Sequence, residues 1–474
     1  MTGSSGGAGA ATAARDGRGH AGRRPPGPGR AETPRVLAAL ARDPLAAGLG
    51  LYRRYGDLVR VPLLRGDRAL FVLSHPDHAE HVFVTRHADY PKSVTYRPLR
   101  EFLGDGLVTS EGALWERQRR LIQPLFSHRR VAAFHPVMVR NVRRMLDDWD
   151  RRAPGDVVDV SEAMSLLTLN IVGEALFGAD LRGPGARVSP SVTAMQDFAV
   201  TAMRNPLLLR APRLGLRTTP GYRKWAAAVR AVDEVVATVI AARRAGGTRD
   251  SAGPDLLDAL LDARHEDGTA LGDRQLRDEI VTFLMAGHET SATALVWALY
   301  LLATHPAARQ RLEEEVDTVL AGRDPGPEDL DGLVWTKAVL CEALRLYPPF
   351  WTLERDALRD DEIDGVRVPA GSTVAVPPYL VHRHPDFWEN PEGFDPGRFL
   401  PGRGAGRHRH AFIPFGGGRR GCVGNAFAMT ETVVVIAMLA QGRRLDVPSG
   451  GVPAVQPTVT LRPRGGLHMV LRRR

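Results

Sequence analysis

The stretch that most constrains this chain is 273–304, about thirty residues without a proline and apolar on most faces after Ile280. Such a segment predicts one helix, about 48 Å long at 1.5 Å per residue. A surface helix shows a single apolar stripe, whereas one that is apolar nearly all round has to be enclosed by protein. The rest of the chain must therefore build a body thick enough to surround it. Shorter helical patterns at 131–150, 161–177, 223–244 and 254–265 precede it, and 307–320 and 335–347 follow. His305-Pro306 ends the long helix and Pro348-Pro349 the last of these. Strand-like passages are short. They fall at 59–63 and 69–74, split by Arg65-Gly66-Asp67, at 366–368 and 373–376, and around Gly465-Gly466. The fold class read from this is mainly α with a small β region. Residues 203–221, with Pro206, Pro212 and Pro220, break the pattern and are expected to form a mobile cover between helices.

Charge and cysteine content narrow the function. The net charge is +9. Residues 1–35 and 461–474 carry the whole excess as arginines, leaving the body formally neutral. Basic character is thus no argument for nucleic-acid binding, and none is expected. Residues 1–34, rich in Gly, Ala, Arg and Pro, read as a disordered segment, with one domain over 35–474. No apolar run approaches the roughly 20 residues that span a bilayer, so no membrane span is expected. Two cysteines, Cys341 and Cys422, exclude a disulfide framework and suit a reducing cytoplasm.

Chemistry concentrates in Phe415-Gly416-Gly417-Gly418-Arg419-Arg420-Gly421-Cys422-Val423-Gly424, which leads into an apolar helix over 423–441. Consecutive glycines let a backbone approach another group closely. Cys422 falls at a helix start, where free N–H groups and the helix dipole favour a thiolate. Phe415 offers an apolar wall and Arg420 a cation for an acidic group. A phosphate-binding loop is excluded by the missing Gly-Lys-Ser/Thr ending. An inert buried thiol is the remaining alternative. Cys341 has no such loop and reads as a packed small residue.

As it stands at 415–424, Phe-Gly-x-Gly-x-Arg-x-Cys-x-Gly resembles the haem-binding signature of the cytochrome P450 family. The resemblance covers about residues 35–470 and implies that family's fold: a single large helical domain, a long central helix over the haem and minor antiparallel sheets. It implies that Cys422 binds the iron of haem b, with Phe415, Gly416, Arg420 and Gly424 cradling it. Ala286-Gly287-His288-Glu289-Thr290-Ser291 resembles the family's central-helix motif. There Gly287 is expected to open a kink or π-bulge, Thr290 to position oxygen and water, and Glu289 to relay protons. The alternative for this motif is a packing glycine with Thr290 bonded to its own helix. Glu342 and Arg345, at i, i+3, resemble the Glu-x-x-Arg pair that locks onto a downstream arginine, here Arg398. Trp115 and Arg119 resemble the pair that meets a haem propionate, and Arg355 and His382 fall where further propionate contacts lie. The run Arg407-His408-Arg409-His410 lacks acidic or cysteine companions and reads as a solvated basic edge.

The resemblance implies a monooxygenase that inserts one atom of O2 into a hydrophobic small molecule, such as a terpenoid, fatty acid or polyketide intermediate of biosynthesis. Tyr96, Leu107, Phe283, Ala286, Phe350, Trp351 and Leu353 are its expected pocket residues. No flavin or nicotinamide segment is visible, so electrons from NAD(P)H are expected to arrive through a separate ferredoxin or flavodoxin and reductase. Arg407, Arg409 and Arg419 are the residues expected to steer that partner. A peroxide-using enzyme, a non-redox haem-thiolate enzyme and a haem-binding sensor are the rivals; none needs the Glu289–Thr290 pair.

Overall fold

The long helix forms as read, over Asp273–Thr304, and stays α-helical without an inserted π-turn. The structure, a computed structural model, describes residues 25–63, 67–204, 219–246, 255–264, 268–448 and 452–474. Helices pack around the central one on several sides: Val160–Phe177, Pro220–Arg244, Val334–Leu346 and Asn425–Ala440. Their apolar residues merge into one core that holds Trp297, Met164, Leu295 and Val434 at almost no exposure. Val160–Phe177 is long and apolar enough to cross a membrane, and 67% of it is buried inside the molecule.

Arg182–Arg204 is a further helix that the sequence reading did not draw, because Pro184 and Pro190 break its pattern. The cover expected at 203–221 falls largely on 205–218, outside the described residues, as does most of the Arg65-Gly66-Asp67 turn. The strands either side of that turn, Leu58–Pro62 and Ala69–Leu73, pair antiparallel.

These two strands open a four-stranded sheet that continues with Thr373–Val376 and Leu353–Asp356. The sheets are mainly antiparallel, but Ala69–Leu73 and Thr373–Val376 run parallel, from Leu70 opposite Thr373 to Val72 opposite Ala375. Parallel neighbours need a long crossover, and here most of the helical body supplies it. The N-terminal boundary also moves. Residues 25–34, grouped by composition with the disordered segment, lie on this sheet: Arg60 N donates to Pro26 O at 2.8 Å, and a helix begins at Thr33.

Candidate active site

Cys422 ends a tightly folded loop. Its N–H donates to Phe415 O at 2.8 Å, closing the glycine run into a turn ahead of Asn425–Ala440. Gly418 sits at φ +64°, and a Cβ there would stand 1.9 Å from the carbonyl oxygen of Phe83, so only glycine fits. Arg119, from the helix Gly112–Ile122, donates from Nη1 to Gly421 O at 2.9 Å and clamps the loop from the other side. The sulfur lies deep in the molecule yet remains open to a cavity of about 550 Å³ lined by Arg119, Gln123, Phe126, Cys422 and Val423 among others. Burial pushes the thiol pKa up, opposed by the Gly424 N–H and the Arg119 charge. Phe126 stacks on Phe283 of the central helix at 5.6 Å, joining the cavity wall to that helix.

The central helix contributes an opening at one place. From Asp278 to Leu302 every residue is buried except Ala286, Gly287 and Thr290, which share one face. No π-turn is inserted there. Thr290 Oγ1 donates to Ala286 O at 2.7 Å, and Thr168 Oγ1 donates to His288 O at 2.9 Å. Gly287 is a packing glycine: an added Cβ would come within 2.9 Å of Val172. Both features of the alternative reading are thus observed, while Ala286 and Thr290 keep partial exposure. Glu289 Oε1 accepts from Thr460 Oγ1 at 3.0 Å, so the hairpin of Val455–Pro457 and Leu461–Pro463 is tied to the same turn of helix. That hairpin also receives Trp297 Nε1 at Leu461 O, 2.6 Å, and Trp351 Nε1 at Thr458 O, 2.9 Å.

Three cations gather beside the cavity. Arg420 lies 4.2 Å over the Trp115 ring and pairs with Glu111; Arg355 lies 5.2 Å over Phe83. Lys92, which nothing in the sequence singled out, donates from Nζ to Leu107 O and Ser110 O at 3.3 and 3.1 Å. Burial, then the neighbouring Arg420 and Arg355, lower its pKa to about 7. Nearby Glu279 is pushed up to about 8, mainly by burial, and so is largely neutral. Glu111 and, farther off, Glu116 face Arg420, so the two arginines and the partly protonated Lys92 form a basic edge suited to an anionic ligand group.

His382 does not belong there. Its Nε2 accepts from Ile413 N at 2.8 Å and its Nδ1 lies 3.2 Å from Arg345 O, leaving no ring nitrogen for a propionate. Burial, with Arg345 next, pushes its pKa down to about 3. The ring instead braces the segment entering the cysteine loop. Arg407 is not a free steering charge either. It stacks 4.1 Å over Trp388 and donates to Arg398 O. Arg409 and Arg419 remain exposed.

The Glu342–Arg345 lock is fully buried. Arg345 Nε and Nη2 donate to the two Glu342 oxygens at 2.7 Å, and its other donors reach His382 O, Pro391 O and Gly393 O at 2.6 to 3.0 Å. Arg398 Nε stands 3.4 Å from Glu342 Oε1. Among the expected pocket residues, Leu107 is bound to the central helix through Glu279 Oε2 at 3.1 Å, and Leu353 lies beside Gly416. Tyr96 and Phe350 keep partial exposure.

An exposed thiol at the end of a glycine loop and a basic edge beside it suit the iron and the propionates of a haem. The model of the cytochrome P450 family matches residues 46–470. The chain belongs to that family. This P450 is 36% identical to cytochrome P450 132 of Mycobacterium tuberculosis, over 86% of this chain and 88% of the relative. It is 34% identical to cyclooctatin synthase of Streptomyces melanosporofaciens (91% and 92% covered). To cyclooctat-9-en-7-ol 5-monooxygenase of the same organism the figure is 33%, over 86% of each chain. It is a haem-thiolate monooxygenase, an oxidoreductase. When bound, the haem supplies the oxygen-activating chemistry. Cys422, with Arg420 and Arg355 at the acidic edge, would hold it, and Thr290 would stand in the opening of the central helix.

Proposed function

We propose that this P450 hydroxylates a hydrophobic terpenoid-like intermediate, with electrons from NAD(P)H delivered by a separate ferredoxin or flavodoxin. The observation that carries the oxygenase mechanism is the gap in burial at Ala286, Gly287 and Thr290. It is the place on a sealed helix where a substrate and a proton-bearing hydroxyl can meet. Support for the substrate class comes from the two Streptomyces relatives, one of them named for an action on cyclooctat-9-en-7-ol. Support from the residues comes from the apolar character of those expected at the pocket, Phe283, Leu107 and Leu353. Keeping both Glu289 and Thr290 favours O2-dependent oxidation over peroxide use.

The first experiment is the spectrum of the reduced protein with carbon monoxide. A strongly red-shifted Soret band is expected, and its persistence in Cys422→Ser would remove Cys422 as the ligand. A panel of diterpene alcohols, fatty acids and macrolide precursors then follows by the shift of the ferric Soret band. If only fatty acids shift it, the terpenoid assignment fails.

A further inference from the structure

Away from the haem site, the histidines dismissed from the sequence as a basic edge acquire acidic companions from a distant part of the chain. His408 and His410 flank the short turn Arg409–Ala411, just ahead of the cysteine loop. The short helix Pro76–Glu80 packs against that turn and brings Asp77 and Glu80, i, i+3 on one face. His408 Nε2 lies 3.4 Å from Glu80 Oε2 and 3.3 Å from Asp77 Oδ1, and His410 Nδ1 lies 3.5 Å from the same Glu80 oxygen.

These separations are long for charge-assisted hydrogen bonds, which close to about 2.7–2.9 Å. They match the ligand–ligand edge of a tetrahedral ion with bonds of 2.0–2.1 Å, about 3.3–3.4 Å. We propose that Glu80, His408 and His410 bind a divalent transition ion, with Asp77 beside His408 and a water completing the shell, zinc being the best match to two imidazoles and a carboxylate.

Two neighbours shape its affinity. Arg409 Nη2 donates to Glu80 Oε1 at 2.7 Å, so Oε2 is the oxygen left for the ion. Arg409 Nε donates to His410 Nδ1 at 3.4 Å, a long bond the ion must displace at the cost of a nearby positive charge. His408 Nδ1 now accepts from His410 N at 3.2 Å; an ion on Nε2 requires the proton on Nδ1 and gives up that long bond. The site is therefore of moderate strength and sensitive to Arg409.

Its consequence is mechanical. The turn after Glu80, His81–Thr85, places Phe83 O against Gly418, so an ion tying Glu80 to His408 and His410 would fasten both ends of the strap around the cysteine loop.

Chelator-treated haem-loaded protein, dialysed against micromolar zinc at neutral pH, is expected to retain one zinc per chain by elemental analysis. Glu80→Gln should weaken retention by about tenfold or more, and His408→Ala with His410→Ala should abolish it. Arg409→Ala should tighten it. The carbon monoxide spectrum of each variant reports whether the cysteine loop has survived. If the double variant loses that spectrum, His408→Ala alone replaces it, and must still lower zinc retention. Equal zinc content in parent and histidine variants overturns the proposal. So does loss of zinc on His75→Ala with the His408 and His410 variants unaffected, since that moves the ion to the adjoining Asp57–His75–His384 group.

Discussion

Arg345 uses its donors on a carboxylate and three backbone carbonyls in a space with no water access. Removing one member of such a pair strands the other, a loss of about 3–5 kcal/mol. Glu342→Ala is therefore expected to prevent accumulation of folded, haem-loaded protein, and Arg345→Lys should not rescue because a lysine cannot form the fork. Denaturant midpoints of any recovered protein check this. Glu431 is a second buried acid, on the helix that follows Cys422. Burial raises its pKa to about 8, offset only by the Ser291 hydroxyl next to Thr290. A carboxyl with a raised folded pKa stabilises fully below its unfolded value, about 4.5, and loses that contribution as pH climbs to about 8. The slope from this one group reaches about 1.4 kcal/mol per pH unit. Glu431→Gln should flatten the parent's fall in stability across that window, measured by urea unfolding at a series of pH values. Thr290→Ala should leave the carbon monoxide spectrum intact and lower product formed per NAD(P)H consumed. Undiminished yield would take Thr290 out of the reaction.

The cysteine loop is the element on which the site depends, and its legibility in the sequence was uneven. The triple glycine and Cys422 announced a close backbone approach, and Gly418 against Phe83 O is that approach. Gly418→Ala combines a left-handed φ, about 1–2 kcal/mol for a non-glycine residue, with a direct clash, so haem occupancy should drop sharply on purification. The central helix was legible because no proline interrupts it and His305-Pro306 marks its end. The lock at Glu342, Arg345 and Arg398 was legible through its resemblance to the family's pair, since i, i+3 spacing alone only places Glu342 and Arg345 on one face. Lys92, Glu279 and Thr460 were not, since each meets the site through tertiary contacts that no local pattern encodes. Resemblance puts His382 at a propionate, whereas its ring is sealed and bonded to the backbone at Ile413, a tertiary contact that no local pattern encodes. The acids beside His408 escaped notice because they lie more than 300 residues upstream.

For the whole molecule, the cavity and the surplus positive charge around Lys92, Arg355 and Arg420 make the haem a structural component. Ligand that binds only the folded state adds about 4.1 kcal/mol when present at a thousand times its Kd. Apoprotein is expected to melt well below holoprotein, with the melting temperature rising as haem is added back. Partner steering belongs to this scale too. Arg419→Glu should slow ferredoxin-driven turnover at low ionic strength, with the difference vanishing in high salt.

The parallel seam between Ala69–Leu73 and Thr373–Val376 joins residues separated by 303 positions at Ala69 and Ser372. A ribosome adding 5–20 residues per second needs about 15–60 s to cover that distance. Throughout that interval the nascent hairpin presents a bare apolar edge, open to pairing with any other extended chain. The yield of this enzyme in a cell is thus set partly by what shields that edge during synthesis, and slowing translation should cost it more than a protein whose strands are neighbours.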